Sequence, residues 1–173
     1  MNIHINAFDT QSLDRAIKQL QDYQKKLDEK AQEVAKRLAE IGATRAEIDF
    51  ENAPYDGNKE FDISVEKTDN GYSVKTSGKS VLFVEFGAGV TYGGGHPQAA
   101  EFGMGPGTWP EPHYRKYHGQ LYANWENPSG WYLPKESGGG HTFGNAPAMP
   151  MYNAEQEIKS NIERVVREVF SSD

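Results

Sequence analysis

Between Glu85 and Met151 the chain carries 14 of its 18 glycines, all three tryptophans and four of its five histidines. Glycine gives a backbone access to positive φ and to close approach, at a large cost in ordering entropy. Trp and Tyr supply broad, stiff, amphipathic faces that bury well against a partner. A flexible linker does not carry so many large aromatics, and an ordinary core does not carry so many glycines. Loops of this length are usually functional or ordered by something outside themselves. The stretch is therefore read as an interaction surface. Residues 87–148 form a long loop or arm within a single domain spanning 1–173, and the flanking segments are the scaffold that presents it.

A chain of 173 residues is long enough to bury a real core. Its net charge of −7 argues against tight binding to a nucleic-acid backbone, which needs clustered Lys and Arg. Without cysteine there is neither a disulfide framework nor thiolate chemistry. The first residues lack the basic and apolar regions of a signal peptide, and no apolar run approaches membrane-spanning length. The expectation is a soluble product made inside the cell.

Ile3, Ile5 and Phe8 suggest a short strand, and Asp9, Thr10 and Ser12 offer helix-capping oxygens. Leu13, Leu20, Leu27, Val34 and Ile41 then recur every seven residues, with Ile17, Ala31 and Leu38 as a second row broken by Gln24. This predicts an amphipathic helix over 13–41, stopped by Gly42. It packs on its own domain or, in part, on another subunit. Ala46, Ile48 and Phe50 alternate with acidic residues and predict a half-exposed strand. Residues 60–77 alternate around Asp69-Asn70-Gly71 and predict a β-hairpin. Three strands need a cover, and Leu20, Leu27 and Val34 are expected to supply it. Val81–Phe86 reads as strand or short helix, with β-branching favouring strand. Pro150 opens a final helix to about Phe170, with Met151, Ala154, Ile158, Ile162, Val165 and Val169 on one face. The fold class is α+β: a long N-terminal helix and a C-terminal helix packed on a small antiparallel sheet.

The candidate chemistry is thin. His96, His113, His118 and His141 lack the stiff frame and regular spacing of a zinc site and read as solvated or interface histidines. The glycine groups at 87–89 and 103–107 are not followed by a helical pattern, so neither is a phosphate loop. No metal or cofactor is expected. Glu85, beside Phe83, Val84 and Phe86, could serve a glycan hydrolase as general acid, with Glu101, Glu111, Glu126 or Glu136 as its partner carboxylate. Nothing selects among these, and the plainer reading is that Glu85 accepts hydrogen bonds from loop backbone amides. Trp109, Trp125 and Trp131, with Tyr92, Tyr114, Tyr117, Tyr122 and Tyr132, suit a sugar-stacking platform or the buried anchors of a protein interface. Glu85, Phe86, Trp109, Trp125, Trp131 and Tyr132 are the candidate interface residues.

Three stretches in this order carry a resemblance: Phe83-Val84-Glu85-Phe86-Gly87-Ala88-Gly89, Gly130-Trp131-Tyr132, and Pro147-Ala148-Met149-Pro150-Met151-Tyr152-Asn153-Ala154 before an amphipathic helix. Together with the N-terminal helix, over roughly residues 8–170, the chain resembles the minor tail component family of tailed phages and prophages. Its members are also described as neck, head–tail joining or tail-completion proteins. Ala88 stands where members often carry Thr. The resemblance implies a non-enzymatic α+β virion protein that assembles as a homo-oligomeric ring at the head–tail junction. Its partners would be connector and tail proteins, with DNA at most passing through. It implies no catalytic residues. A phage-encoded glycan hydrolase and a sugar-binding module are the alternatives.

Overall fold

The computed structural model describes residues 10–55, 57–89, 95–102, 115–117, 120–122, 129–132, 135 and 139–171. The strand expected in the first eight residues lies outside them. The fold is α+β, as the element order implied. It has a long N-terminal helix, a C-terminal helix and small two-stranded antiparallel sheets.

Helix α1, Thr10–Asn52, is 43 residues long, about 65 Å at 1.5 Å per residue. It runs straight through both Gly42 and the strand expected over Ala46–Phe50. Ala39, Gly42, Ala46 and Phe50 are all buried, and their spacing of three and four is helical. The alternation at 46–50 is a subset of that longer pattern. The segment is also rich in good helix formers, and the helix ends only just before Pro54, whose ring disfavours helical geometry in the preceding residue. Pairs four apart, among them Arg37–Glu33 at 2.6 Å and Arg45–Asp49 at 2.9 Å, add small increments of support.

Gly42 is a packing residue, not a stop. A Cβ there would lie 2.5 Å from Ile158 Cδ1 and 3.6 Å from Val74 Cγ2. The missing side chain lets α3 (Pro150–Ser171) and the hairpin close on α1 from two sides. Helix α3 lies antiparallel to α1. Asn153 Nδ2 donates to Asp49 Oδ2 at 2.8 Å, Ile158 meets Gly42, and Lys30 Nζ sits 5.4 Å from the Phe170 ring centre.

The hairpin is β1 (Asp62–Thr68) and β2 (Gly71–Ser77), with Val65 opposite Val74 and a two-residue turn at Asp69-Asn70. The cover on this hairpin comes from the second half of α1, through Ala35, Gly42 and Phe50, which stacks on Phe61 at 5.0 Å. Leu20 and Leu27 take no part: they are 52% and 43% exposed. The third expected strand of this sheet is the end of α1. Val81–Phe86 is helix α2, not strand. Six residues carry too little periodicity to decide, and the tertiary partners of Val84 and Glu85 decided it. Further pairs are β3 (Arg115–Tyr117) with β4 (Gln120–Tyr122), and β5 (Trp131–Tyr132) with β6 (His141–Thr142). The central core is small: Ala46, Phe50, Ala53, Val81, Val84 and Ala154.

Phe50→Ala removes the largest side chain of that core and should cost about 3–5 kcal/mol in a urea titration. Leu27→Asp, on the exposed half of α1, should shift the same midpoint by no more than about 0.5 kcal/mol in the isolated chain. Equal costs would mean that the two halves of α1 are buried alike.

Candidate functional site

Two of the three stretches that carry the resemblance, 83–89 and 147–154, meet in one joint. Helix α2 follows Ser80, whose hydroxyl does not cap it. Instead it donates to the Glu60 carbonyl and accepts the Glu60 N–H, both at 2.9 Å, tying α2 to the approach of β1. Val84 turns into the core, and Glu85 beside it points to α3.

The long insert leaves and returns through the end of α2. Ala88 and Asn145 exchange two backbone hydrogen bonds, at 2.9 and 3.1 Å. Asn145 Nδ2 donates to the Phe83 carbonyl at 2.8 Å, and the Ala148 N–H to the Val84 carbonyl at 2.9 Å. Two carbonyls left without helical partners at the end of α2 are thereby satisfied. Gly144 makes this closure possible. Its φ is +95° and a Cβ there would fall 2.0 Å from the Ala88 oxygen. The Gly87-Ala88-Gly89 stretch is thus one side of a stem, with Trp131 packed over Gly89.

Helix α3 begins in an unusual way. The Met149 carbonyl accepts the Asn153 N–H at 2.9 Å, which makes Met149 the N-cap residue, and its φ of 57° is rare for a side chain of its size. Methionine has no oxygen to cap the helix, and Pro150 has no N–H to be capped. The next two amides, of Met151 and Tyr152, donate to Glu85 Oε2 at 2.7 Å and Oε1 at 3.0 Å. Glu85 therefore does from 66 residues away what an N-cap Ser or Asp does locally. Its negative charge also sits at the positive end of a 22-residue helix.

His96 completes the arrangement. Its Nδ1 accepts the Gln98 N–H at 3.1 Å, so the ring hydrogen is on Nε2, which donates to Glu85 Oε1 at 3.0 Å. The imidazole is neutral in this geometry. Its ring lies 4.5 Å from Phe86 and edge-on to Tyr152 at 5.6 Å, and Phe102 lies 5.9 Å from Phe86. Glu85 is 5% exposed and accepts three hydrogen bonds, most of what a carboxylate can take. Burial of a charge on these terms needs such pairing.

The amides that Glu85 accepts are those of α3, not of the loop. Glu101 is exposed, while Glu111, Glu126 and Glu136 lie outside the described residues. Phe86 is half-buried against His96. Trp131 is half-buried on the stem, while Tyr132 is 65% exposed, in edge contact with His141, which in turn meets Phe143, each at 4.9 Å. Trp109 and Trp125 lie outside the described residues, as do His113 and His118. Among the described residues, no three His, Asp or Glu side chains are grouped to hold a metal ion, and no helix is long and apolar enough to cross a membrane. An open groove of about 550 Å³ between α1 and α3 includes neither Glu85 nor the aromatic residues.

Sequence reasoning placed Glu85 but missed His96, read as a solvated or interface histidine, and Asn145. One signal was available for Glu85: a helix opening at Pro150 after Met149 has no local cap, so an acceptor must come from elsewhere. Comparison with models of known protein families, with curated proteins and with solved structures gave no match.

Glu85→Ala strips the cap and leaves two helix N–H groups and the His96 N–H without acceptors. It should cost roughly 3 kcal/mol in urea unfolding and speed hydrogen exchange at Met151 and Tyr152. Glu85→Gln, which keeps one oxygen, should lose about half as much. An unchanged midpoint for Glu85→Ala would remove the carboxylate from its place in the fold.

Proposed function

We propose that this chain is a structural virion protein of a tailed phage or prophage, acting as a homo-oligomeric ring at the head–tail junction. One observation carries the reading. Two of the motifs that resemble the neck and tail-completion family, 66 residues apart at Glu85 and Met151, are joined by a buried carboxylate that accepts three hydrogen bonds. Such a group holds a helix and a loop stem in fixed relation. It is 5% exposed and three of its acceptor sites are taken up within the fold, which counts against the glycan hydrolase alternative.

The exposed surface agrees with an assembling protein. Tyr132 and Phe143 stand out from the stem, and rings of this kind anchor interfaces when a partner covers them. The acidic balance suits a ring through which DNA passes without sticking. A ring needs one surface of a subunit to meet a different surface of the next, and the stem presents such a surface on a scaffold fixed by the Glu85 joint.

The test is location. Antibody against the chain should label phage particles at the junction of head and tail, and the purified chain should form closed rings in electron micrographs. Tyr132→Ala should reduce ring yield several-fold while leaving the thermal midpoint unchanged. Particles without the chain, or glycan cleavage abolished by Glu85→Gln, would overturn the reading.

A further inference from the structure

Helix α3 covers one face of α1 only from Lys30 to Asp49, where the antiparallel pairing described above runs out. The same face continues toward the N-terminus for some twenty residues, about 30 Å, beyond the end of α3. On it Leu13, Leu20 and Leu27 are 50%, 52% and 43% exposed, and Ile17 and Tyr23 are exposed as well. Farther along the same seven-residue row, Val34 and Ile41 are half-buried. Along this row the interface covered by α3 thus passes into an exposed stretch. Ser12 and Ala16, on the flank of the first turns, are buried, but the leucines beside them are not. A helix of this length gains most of its stability by packing an apolar face, so the uncovered half calls for a partner.

We infer that this partner is the same half-helix of a second copy of the chain, packed parallel and in register. Three features select it. A strict seven-residue repeat is the signature of a helical partner with matching supercoil, not of a sheet or an irregular surface. The second row is interrupted by a single polar residue, Gln24, between Leu20 and Leu27. In a parallel, in-register pair Gln24 meets its own copy, and two amides satisfy each other; in other registers it faces apolar neighbours. The edges of the row also differ. Asp14, Gln21 and Asp28 follow the leucines on one side, and Ala16, Tyr23 and Lys30 flank the other. Parallel packing sets the Tyr23 hydroxyl against Asp28 of the second copy. Antiparallel packing sets Asp14 against Asp28, two like charges.

The contact is isologous: about a twofold axis along the helices, each acidic edge meets the opposite edge of the other copy, so it closes a pair. In a larger assembly it would join two subunits, while a different surface closes the ring. The contact itself does not rest on the ring reading.

The chain lacks cysteine, so single cysteines report the geometry cleanly. In the full chain under mild oxidation, Gln24→Cys should convert most of the protein to disulfide-linked pairs. An equimolar mixture of Tyr23→Cys and Asp28→Cys chains should cross-link to each other, and neither should cross-link to itself. Carrying both Leu20→Glu and Leu27→Glu, the chain should keep its helical circular dichroism and thermal midpoint while its mass by light scattering falls to that of the monomer.

The inference is overturned by any of five results. A parent chain that is a monomer at every concentration would assign the face to a different protein. Cross-linking in a mixture of Asp14→Cys and Asp28→Cys chains would make the pair antiparallel. A double glutamate variant that assembles as the parent does would remove the leucines from the contact, and one that unfolds would mean that its own chain covers the face. Cross-linked copies absent from phage particles would remove the virion role and leave the helix contact standing. Particles carrying rings whose Gln24→Cys copies never cross-link would do the reverse.

Discussion

A single carboxylate holds the two halves of this protein together. Glu85 closes the amino end of α3, accepts the ring hydrogen of His96, and belongs to α2, whose Val84 is part of the core. Its three hydrogen bonds link the segment before the long insert, a turn within it and the helix after it. The central core is too small to do this alone, since several of its members are alanines. A directional, charge-assisted contact fixes relative position where apolar area is scarce.

Around this contact the glycine and proline pattern acquires a local meaning. The Ala88–Asn145 pairing requires two backbones to approach more closely than a Cβ at Gly144 allows. Pro150 suits a helix whose first turn is capped from a distance, because it brings one fewer N–H to satisfy. Met149 takes up positive φ at the bend between the stem and α3. That strain is sustained because bonds on both sides, from Ala148 to Val84 and from Asn153 to Met149, hold the bend.

The outcome is a scaffold with two kinds of outward surface. One is the aromatic edge at Tyr132, His141 and Phe143, borne on the stem. The other is the leucine row of α1, which extends past the end of α3 and is exposed at Leu13, Leu20 and Leu27. Both expose large apolar side chains. Neither resembles a cleft in which polar groups converge on a small ligand.

Period and punctuation carried the elements in the sequence that are long or tightly turned. The hairpin, the C-terminal helix and the α+β class were legible because alternation about Asp69-Asn70 and the spacing after Pro150 are local signals. The boundary of α1 was not, because Ala46, Ile48 and Phe50 satisfy both periods and Gly42 imitates a stop. Only the packing of Ile158 and Val74 against that glycine shows why the helix continues. The candidate site was half legible. Glu85 stood out as a charge among apolar neighbours, but its partners at positions 96, 151 and 152 are distant in sequence. Contacts of that range depend on where the folded chain returns, and no local pattern of residues encodes them. The leucine row is the complementary case: its seven-residue period was plain from the sequence alone, while only the tertiary structure shows that α3 is too short to cover it.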